Sequence, residues 1–286
     1  MKEVLFFDGA FVLPQEAKVA VTDIGLIRGY AIFDFLRVQN HVPLFVEDYI
    51  ARFMRSAELM RLPLAYSAED LKGLIVELVA RNGYSFAGIR LVLSGGISPD
   101  NFSVKSGGSL AIIEKVYSPV ASEVYQMGAQ IISRDYVRSF PEIKTTHYAF
   151  AINVLQGLAN PAIEELLYTH EGFITECSRS NIFLIKNGVL ITPHASILWG
   201  VTRKYTLKVA QNILPVEERP VRYAELLQAD EVFITSTTKK LLPVVKVDEH
   251  SIGNGRPGPL SQQIMAAFDQ EERRYTEAFM PNSLSE

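Results

Sequence analysis

The sequence predicts an α/β (α+β) chain of two domains, and three observations carry that prediction. Its 286 residues are about twice the ~150-residue prior for one domain. Its first half mixes strand-like with helix-like segments, whereas its second half holds a run of short strands punctuated by a hairpin turn. Near the middle, the short polar stretch from Ser118-Pro119 to Glu123 reads as a linker, so residues 1–119 form a smaller α/β domain and 120–286 a larger one.

In chain order, residues 3–12 alternate around Asp8-Gly9 and predict a hairpin, followed by a strand at 33–38. Val46, Ile50, Phe53, Ala57 and Met60 recur at helical spacing behind Glu47 and Asp48, which predicts a helix over 46–60. A second helix spans 68–82 and is stopped by Gly83, then come a strand at 89–93, a loop at 94–99 and a strand at 110–117. Beyond the linker, a strand at 130–133 precedes a helix over 148–160 bounded by Pro161. Residues 166–169, 173–175, 181–185 and 189–191 are strand-like, with Asn187-Gly188 as the hairpin signal, and together they predict a meander. A helix at 201–213, a strand at 231–235 ending in Ser236-Thr237-Thr238, and a helix at 260–279 complete the chain.

Composition narrows the function. An apolar fraction of 48%, a charged fraction of 21% and a mean hydropathy of +0.12 argue against disorder and against a membrane protein. With 28 Lys and Arg against 32 Asp and Glu there is no basic field to hold nucleic acid or an anionic membrane. The single cysteine, Cys177, excludes an intrachain disulfide and a cysteine-based zinc site, and no metal is expected. Asp8 and Gly9 interrupt any signal-peptide core and no apolar run reaches ~18 residues, so the expected compartment is the cytoplasm. The sequon at Asn101-Phe102-Ser103 is then chance.

No Walker, GxGxxG, HExxH or GxSxG motif is present. Chemistry must come from other residues. Lys144, among apolar and hydroxyl neighbours after Pro141, is a candidate desolvated amine for a Schiff base; alone it reads more simply as a solvated charge. Glu176 sits among Ile174, Ile182 and Phe183, where a carboxylate must find a cation or protonate, unless it faces solvent at a strand end. Trp199-Gly200-Val201-Thr202-Arg203 puts free amides and a hydroxyl at a helix start, either a phosphate site or a plain N-cap. Thr235-Ser236-Thr237-Thr238 either completes a phosphate cup or closes a turn. Arg52, four residues after Asp48, is explained most simply as an exposed ion pair.

Together these pieces resemble class IV aminotransferases, the fold type IV pyridoxal phosphate enzymes that include branched-chain and D-amino acid aminotransferases and aminodeoxychorismate lyases. The stretches that carry the resemblance are 22–29, 47–56, 143–153, 172–185, Thr192-Pro193, 200–203 and 229–238 with Pro243-Val244, in family order across nearly the whole chain. The resemblance implies a small N-terminal and a larger cofactor-binding C-terminal domain with pyridoxal 5'-phosphate in the cleft, and a homodimer. It implies Lys144 as the Schiff-base lysine and proton shuttle, and Glu176 as partner of the ring nitrogen. Arg52, Val201, Thr202 and Thr237 hold the phosphate and Tyr148 touches the ring hydroxyl. Arg28, Phe33, Arg90 and Thr238 meet the amino acid and 2-oxo acid substrates.

The family's D-specific enzymes carry Arg and His in the Ser-Pro loop where this chain has Asp100 and Phe102, which favours an L-amino acid of the branched-chain type. Branched-chain enzymes usually have an aromatic residue before Gly29 and Glu after Phe33, where Arg28 and Asp34 stand here. The expected activity is amino transfer to a 2-oxo acid such as 2-oxoglutarate, with 4-amino-4-deoxychorismate lyase as the alternative and a non-catalytic cofactor-fold protein behind both. Arg28 or Arg90 is expected to bind a substrate carboxylate, the simpler alternative for Arg28 being a turn toward Asp23 or Asp34.

Overall fold

The computed structural model of the chain describes residues 3–104, 107–160 and 162–279. It divides into two compact units. One comprises the chain up to Ser118 with Ile143–His147 and the chain from Arg273; the other comprises Pro119–Glu142 and Tyr148–Glu272.

The first unit contains β1 (Leu5–Phe7), β2 (Ala10–Val12), α1 (Ile24–Ile27), β3 (Ala31–Gln39), β4 (Val42–Pro43), α2 (Val46–Leu59), α3 (Ala68–Asn82), β5 (Phe86–Ser94) and β6 (Leu110–Lys115). Its strands form an antiparallel sheet in the order β2-β1-β6-β5-β3-β4. The predicted hairpin, both long helices and all three strands of this half are present. The apolar positions spaced along α2 are buried, with Phe53 fully enclosed, as are Leu71, Ile75 and Leu78 of α3. Each such side chain contributes about 1.5 to 3 kcal/mol. Ser67 and Asp70 close α3 with a reciprocal capping box, and Gly83 ends it at φ 70° with its N–H donating to Val79 O. The sequence did not announce α1, a single turn capped by the buried Asp23.

The second unit contains α4 (Ser122–Met127), β7 (Ala129–Asp135), α5 (Ala149–Gln156), β8 (Ile163–His170), β9 (Phe173–Cys177), β10 (Asn181–Lys186), β11 (Val189–Thr192), α6 (Val201–Ala210), β12 (Val216–Glu218), β13 (Val221–Arg222), α7 (Tyr223–Leu226), β14 (Glu231–Ser236), β15 (Lys240–Val247) and β16 (His250–Ser251). The final helix, α8 (Pro259–Phe279), starts in this unit, its first amides at Leu260 and Ser261 donating to Glu231. The strands run β12-β11-β10-β14-β15-β7-β8-β9-β13, with β16 on β15.

Here the structure corrects three expectations. The predicted meander is two separate hairpins: β8 pairs with β9 and β10 with β11, but β10 takes β14 as its other neighbour. Cys177 N nevertheless donates to Ser180 O at 2.8 Å, so the end of β9 lies beside the start of β10 and the sheet curls back on itself. Turn chemistry reports only pairing between sequence neighbours, and β14 arrives some fifty residues later. The linker is not all extended, since its second half enters α4. The helix before residue 160 stops earlier, at Gln156, where Gly157 caps it; Pro161 lies outside the described residues. The chain remains α/β (α+β), with two sheets and helices against them.

Candidate active site

In the first unit, Lys144 rides on a segment laid along the start of β3. Phe33 N donates to Lys144 O at 3.0 Å, Thr146 N donates to Ala31 O at 3.2 Å, and Ile32 bridges to Thr145. Lys144 N reaches the buried Ser56 Oγ of α2 at 3.3 Å, and His147 Nε2 meets Gly29 O at 2.7 Å. The backbone of this lysine is therefore tied at several points while its side chain stays half-buried, with Nζ 4.6 Å from the Phe33 ring centroid. It is not the freely solvated charge of the simplest reading.

Arg52 of α2 is also better placed than an exposed pair. Its Nε and Nη2 donate to Asp34 Oδ2 and Oδ1 at 2.9 and 2.6 Å, and the Asp34 side chain is fully buried. Alternation along β3 explains this: Asp34 points to the helix-covered face, whereas Phe33 and Phe35 share the opposite one. Arg90 stands directly across from Phe35 on β5 and lies over both rings, 5.6 Å from Phe33 and 5.8 Å from Phe35. Arg90 is exposed and has no carboxylate partner among the described residues. The structure brings Lys144, Phe33 and Arg90 together around one ring. Arg28 is elsewhere: its Nε donates to Asn101 O at 3.2 Å, and it pairs with neither Asp23, which caps α1, nor Asp34.

In the second unit, Glu176, the residue before the end of β9, is buried, not solvated. Oε1 accepts from Arg138 Nε at 2.6 Å and Oε2 from Leu198 N at 2.9 Å. Arg138 is the cation that burial of Glu176 demands. Its position carries no sequence signal, being a single arginine in the connection between β7 and Pro141 with no motif around it. Asn181, five residues after Glu176, donates to Leu198 O at 2.8 Å, so Leu198 is fixed through both its N–H and its carbonyl. The sequence reading matched that stretch but gave Asn181 no role.

Leu198 leads into the start of α6. Gly200 is its N-cap residue and makes no side-chain cap bond; a Cβ there would lie 2.2 Å from Asn181 Oδ1. Val201 and Thr202 form the buried first turn, and the Thr202 hydroxyl makes no hydrogen bond among the described residues. Thr235, directly across from Asn181, is buried with Oγ1 lacking a partner among the described residues. Opposed residues of an antiparallel pair point to one face. Uncapped amides, an unengaged hydroxyl and an orphaned buried hydroxyl fit a phosphate, which accepts from all three. Thr237 and the exposed Thr238 follow in the turn 237–239. Tyr148 is half-buried at the N-cap of α5.

Comparison with known proteins identifies the family. The family model for amino-transferase class IV matches residues 31–247. A D-alanine aminotransferase of Bacillus licheniformis is 30% identical over 269 residues, covering 92% of this chain and 95% of its own. The branched-chain amino acid aminotransferase of Escherichia coli has a TM-score of 0.87 at 25% identity and 94% coverage of both chains. A T.th. branched-chain amino acid aminotransferase, solved with pyridoxamine 5'-phosphate, has a TM-score of 0.88 at 24% identity, covering 96% of this chain and 95% of that one. The chain belongs to the class IV aminotransferase family, whose members depend on pyridoxal 5'-phosphate, and it has the fold type IV architecture.

Proposed function

We propose that this aminotransferase moves the amino group of an L-amino acid with a branched aliphatic side chain to a 2-oxo acid such as 2-oxoglutarate. The observation that carries the reading is the group around Phe33, where a backbone-fixed Lys144 and an Arg90 with no acidic partner among the described residues reach the same ring. An exposed guanidinium held by two aromatic faces is prepared for a carboxylate, which both substrates of such a reaction bear. Arg28, already engaged by Asn101 O, ranks behind Arg90. Asp100 supports an L-substrate: its carboxylate takes Ser98, Phe102 and Ser103 donors and puts a negative charge where a D-specific enzyme would have a cation.

Pyridoxal phosphate, when bound, supplies a conjugated ring that takes up the electron pair left as the substrate Cα loses its proton. Lys144 Nζ takes and returns that proton. The Glu176 carboxylate, held by Arg138 and Leu198 N, keeps a proton on the ring nitrogen. Arg52, the first-turn amides and hydroxyl of Val201-Thr202, and Thr237 are the residues that would hold the phosphate, and Tyr148 the one that would meet the ring hydroxyl. Phe33 and Thr238 line the substrate. The buried Cys177, whose thiol burial pushes well above its ordinary value, takes no part and suits a reducing cytoplasm.

The test is a panel of L- and D-amino acids with 2-oxoglutarate, run beside an aminodeoxychorismate assay. Turnover of L-valine, L-leucine or L-isoleucine above all D-amino acids is expected. Preference for D-alanine, or pyruvate release from aminodeoxychorismate without amino transfer, would overturn the reading.

A further inference from the structure

Two loops of the second unit carry residues assigned to opposite ends of the cofactor. The connection 178–180 follows Glu176, the ring-nitrogen partner, and the turn 237–239 contains Thr237, a phosphate ligand. Between these two loops lies a buried ion pair that neither the sequence pattern nor the proposed chemistry uses. Glu165 of β8 is fully buried and Lys239 is 4% exposed.

The hydrogen bonds to the Glu165 carboxylate all come from these two loops. Glu165 Oε1 accepts from Lys239 Nζ at 2.7 Å and from Ser180 Oγ at 2.6 Å. Glu165 Oε2 accepts from Arg179 N at 2.8 Å and from Ser178 Oγ at 3.3 Å. Lys239 also lies 3.2 Å from Glu164 Oε1, its N donates to Ser236 Oγ at 3.3 Å, and its carbonyl accepts from Tyr125 of α4 at 2.7 Å. Burial on its own would raise the Glu165 carboxyl; the charges of Lys239 and Arg179 hold it below the ordinary range, so the pair is ionic.

Replacing a buried ion pair with well-packed apolar residues is often neutral or stabilising, so stability alone does not account for one. What the pair does provide is geometry, since a carboxylate saturated by four directional donors from two loops permits a single spacing of those loops. We propose that the Glu165–Lys239 pair is a positioning strut that sets the span between the Glu176 loop and the Thr237 turn, matching it to the length from ring nitrogen to phosphate. The proposal rests on the cofactor assignment above. Both residues act through their neighbours and touch no reacting atom.

The experiment strips the purified full-length protein of cofactor and titrates it separately with pyridoxal 5'-phosphate and with pyridoxal, which has the ring but no phosphate. It compares wild type with Lys239→Met and with the double variant Glu165→Gln/Lys239→Met, which leaves no unpaired buried charge and keeps the protein folded where the single variant fails. Circular dichroism and the thermal midpoint report folding. The strut requires that the folded double variant bind pyridoxal 5'-phosphate about tenfold or more weaker than wild type, with pyridoxal affinity changed less than about twofold. Equal affinity of wild type and double variant for pyridoxal 5'-phosphate overturns it, as does an equal loss for both ligands, which marks a merely structural role. If wild type binds neither ligand, it is the cofactor assignment that fails.

Discussion

Arg52 answers two demands at once, because the buried Asp34 carboxylate relies on its guanidinium and the cofactor phosphate is assigned to the same group. Arg52→Ala therefore has two separable effects. Losing a charged phosphate contact raises the dissociation constant for pyridoxal phosphate about tenfold to a hundredfold. Leaving Asp34 buried without its cation costs about 3 to 5 kcal/mol of stability. In the double variant Arg52→Ala/Asp34→Asn, denaturant melts show most of the stability regained while titration shows affinity still lost. Recovery of affinity along with stability would remove Arg52 from the phosphate site. Glu176→Gln is the counterpart at the ring: the side chain still accepts from Leu198 N, so cofactor stays bound, but kcat falls by about two orders of magnitude or more because a neutral amide does not hold a proton on the ring nitrogen. Steady-state kinetics with unchanged kcat would contradict that role. At this scale Lys144 and Glu176 are legible because local sequence frames them, whereas Arg138 and Lys239 are not. Their partners lie 38 and 74 positions away, and nothing in a linear pattern records such a pairing.

The elements that sequence read well are those whose ends are fixed locally. In α3 the cap, the first-turn acids and the terminating glycine all fall within one continuous segment, and the boundaries match residue for residue. Gly83→Ala, forced to keep φ 70°, is expected to cost about 1 kcal/mol in a denaturant melt, and an unchanged midpoint would show that the helix end relaxes freely. By contrast β15 was missed because Pro243 breaks its apolar run. In the structure Pro243 pairs with Phe233 of β14, one residue before the parallel pairing with β7 begins, so its missing N–H falls outside that ladder, whose register shifts between Val244 and Lys246. Within the first sheet, Glu114 of β6 faces the helix-covered side, where Asn82 of α3 donates to Oε2 at 3.0 Å and Oε1 has no partner among the described residues. Burial pushes this carboxyl up to about 7 from 4.5. The folded state thus binds this proton more tightly than the unfolded chain, so the contribution is complete below about pH 4.5 and is lost as pH rises toward 7. Glu114→Gln removes that loss, of order 3 kcal/mol, and the variant should exceed wild type in stability above pH 7 while matching it in acid. Parallel pH profiles for the two proteins would contradict the account.

For the whole molecule, the family is secured by a match that runs through both units. No described helix is long and apolar enough to cross a membrane. The resemblance also implies a homodimer, and the first unit exposes Val21, Leu26, Ile97 and Phe102, each more than half accessible, which a second copy would cover. Sedimentation equilibrium is expected to give twice the 32.0 kDa chain mass, and a monomer at micromolar concentration would rule the dimer out. The claim on which all else depends is that Lys144 is the amine that joins the cofactor. Borohydride reduction of the protein loaded with pyridoxal 5'-phosphate, followed by peptide mapping, tests it directly: the account predicts a stable phosphopyridoxyl label on Lys144 and none after Lys144→Ala, and a label on another lysine in the wild-type protein would contradict it.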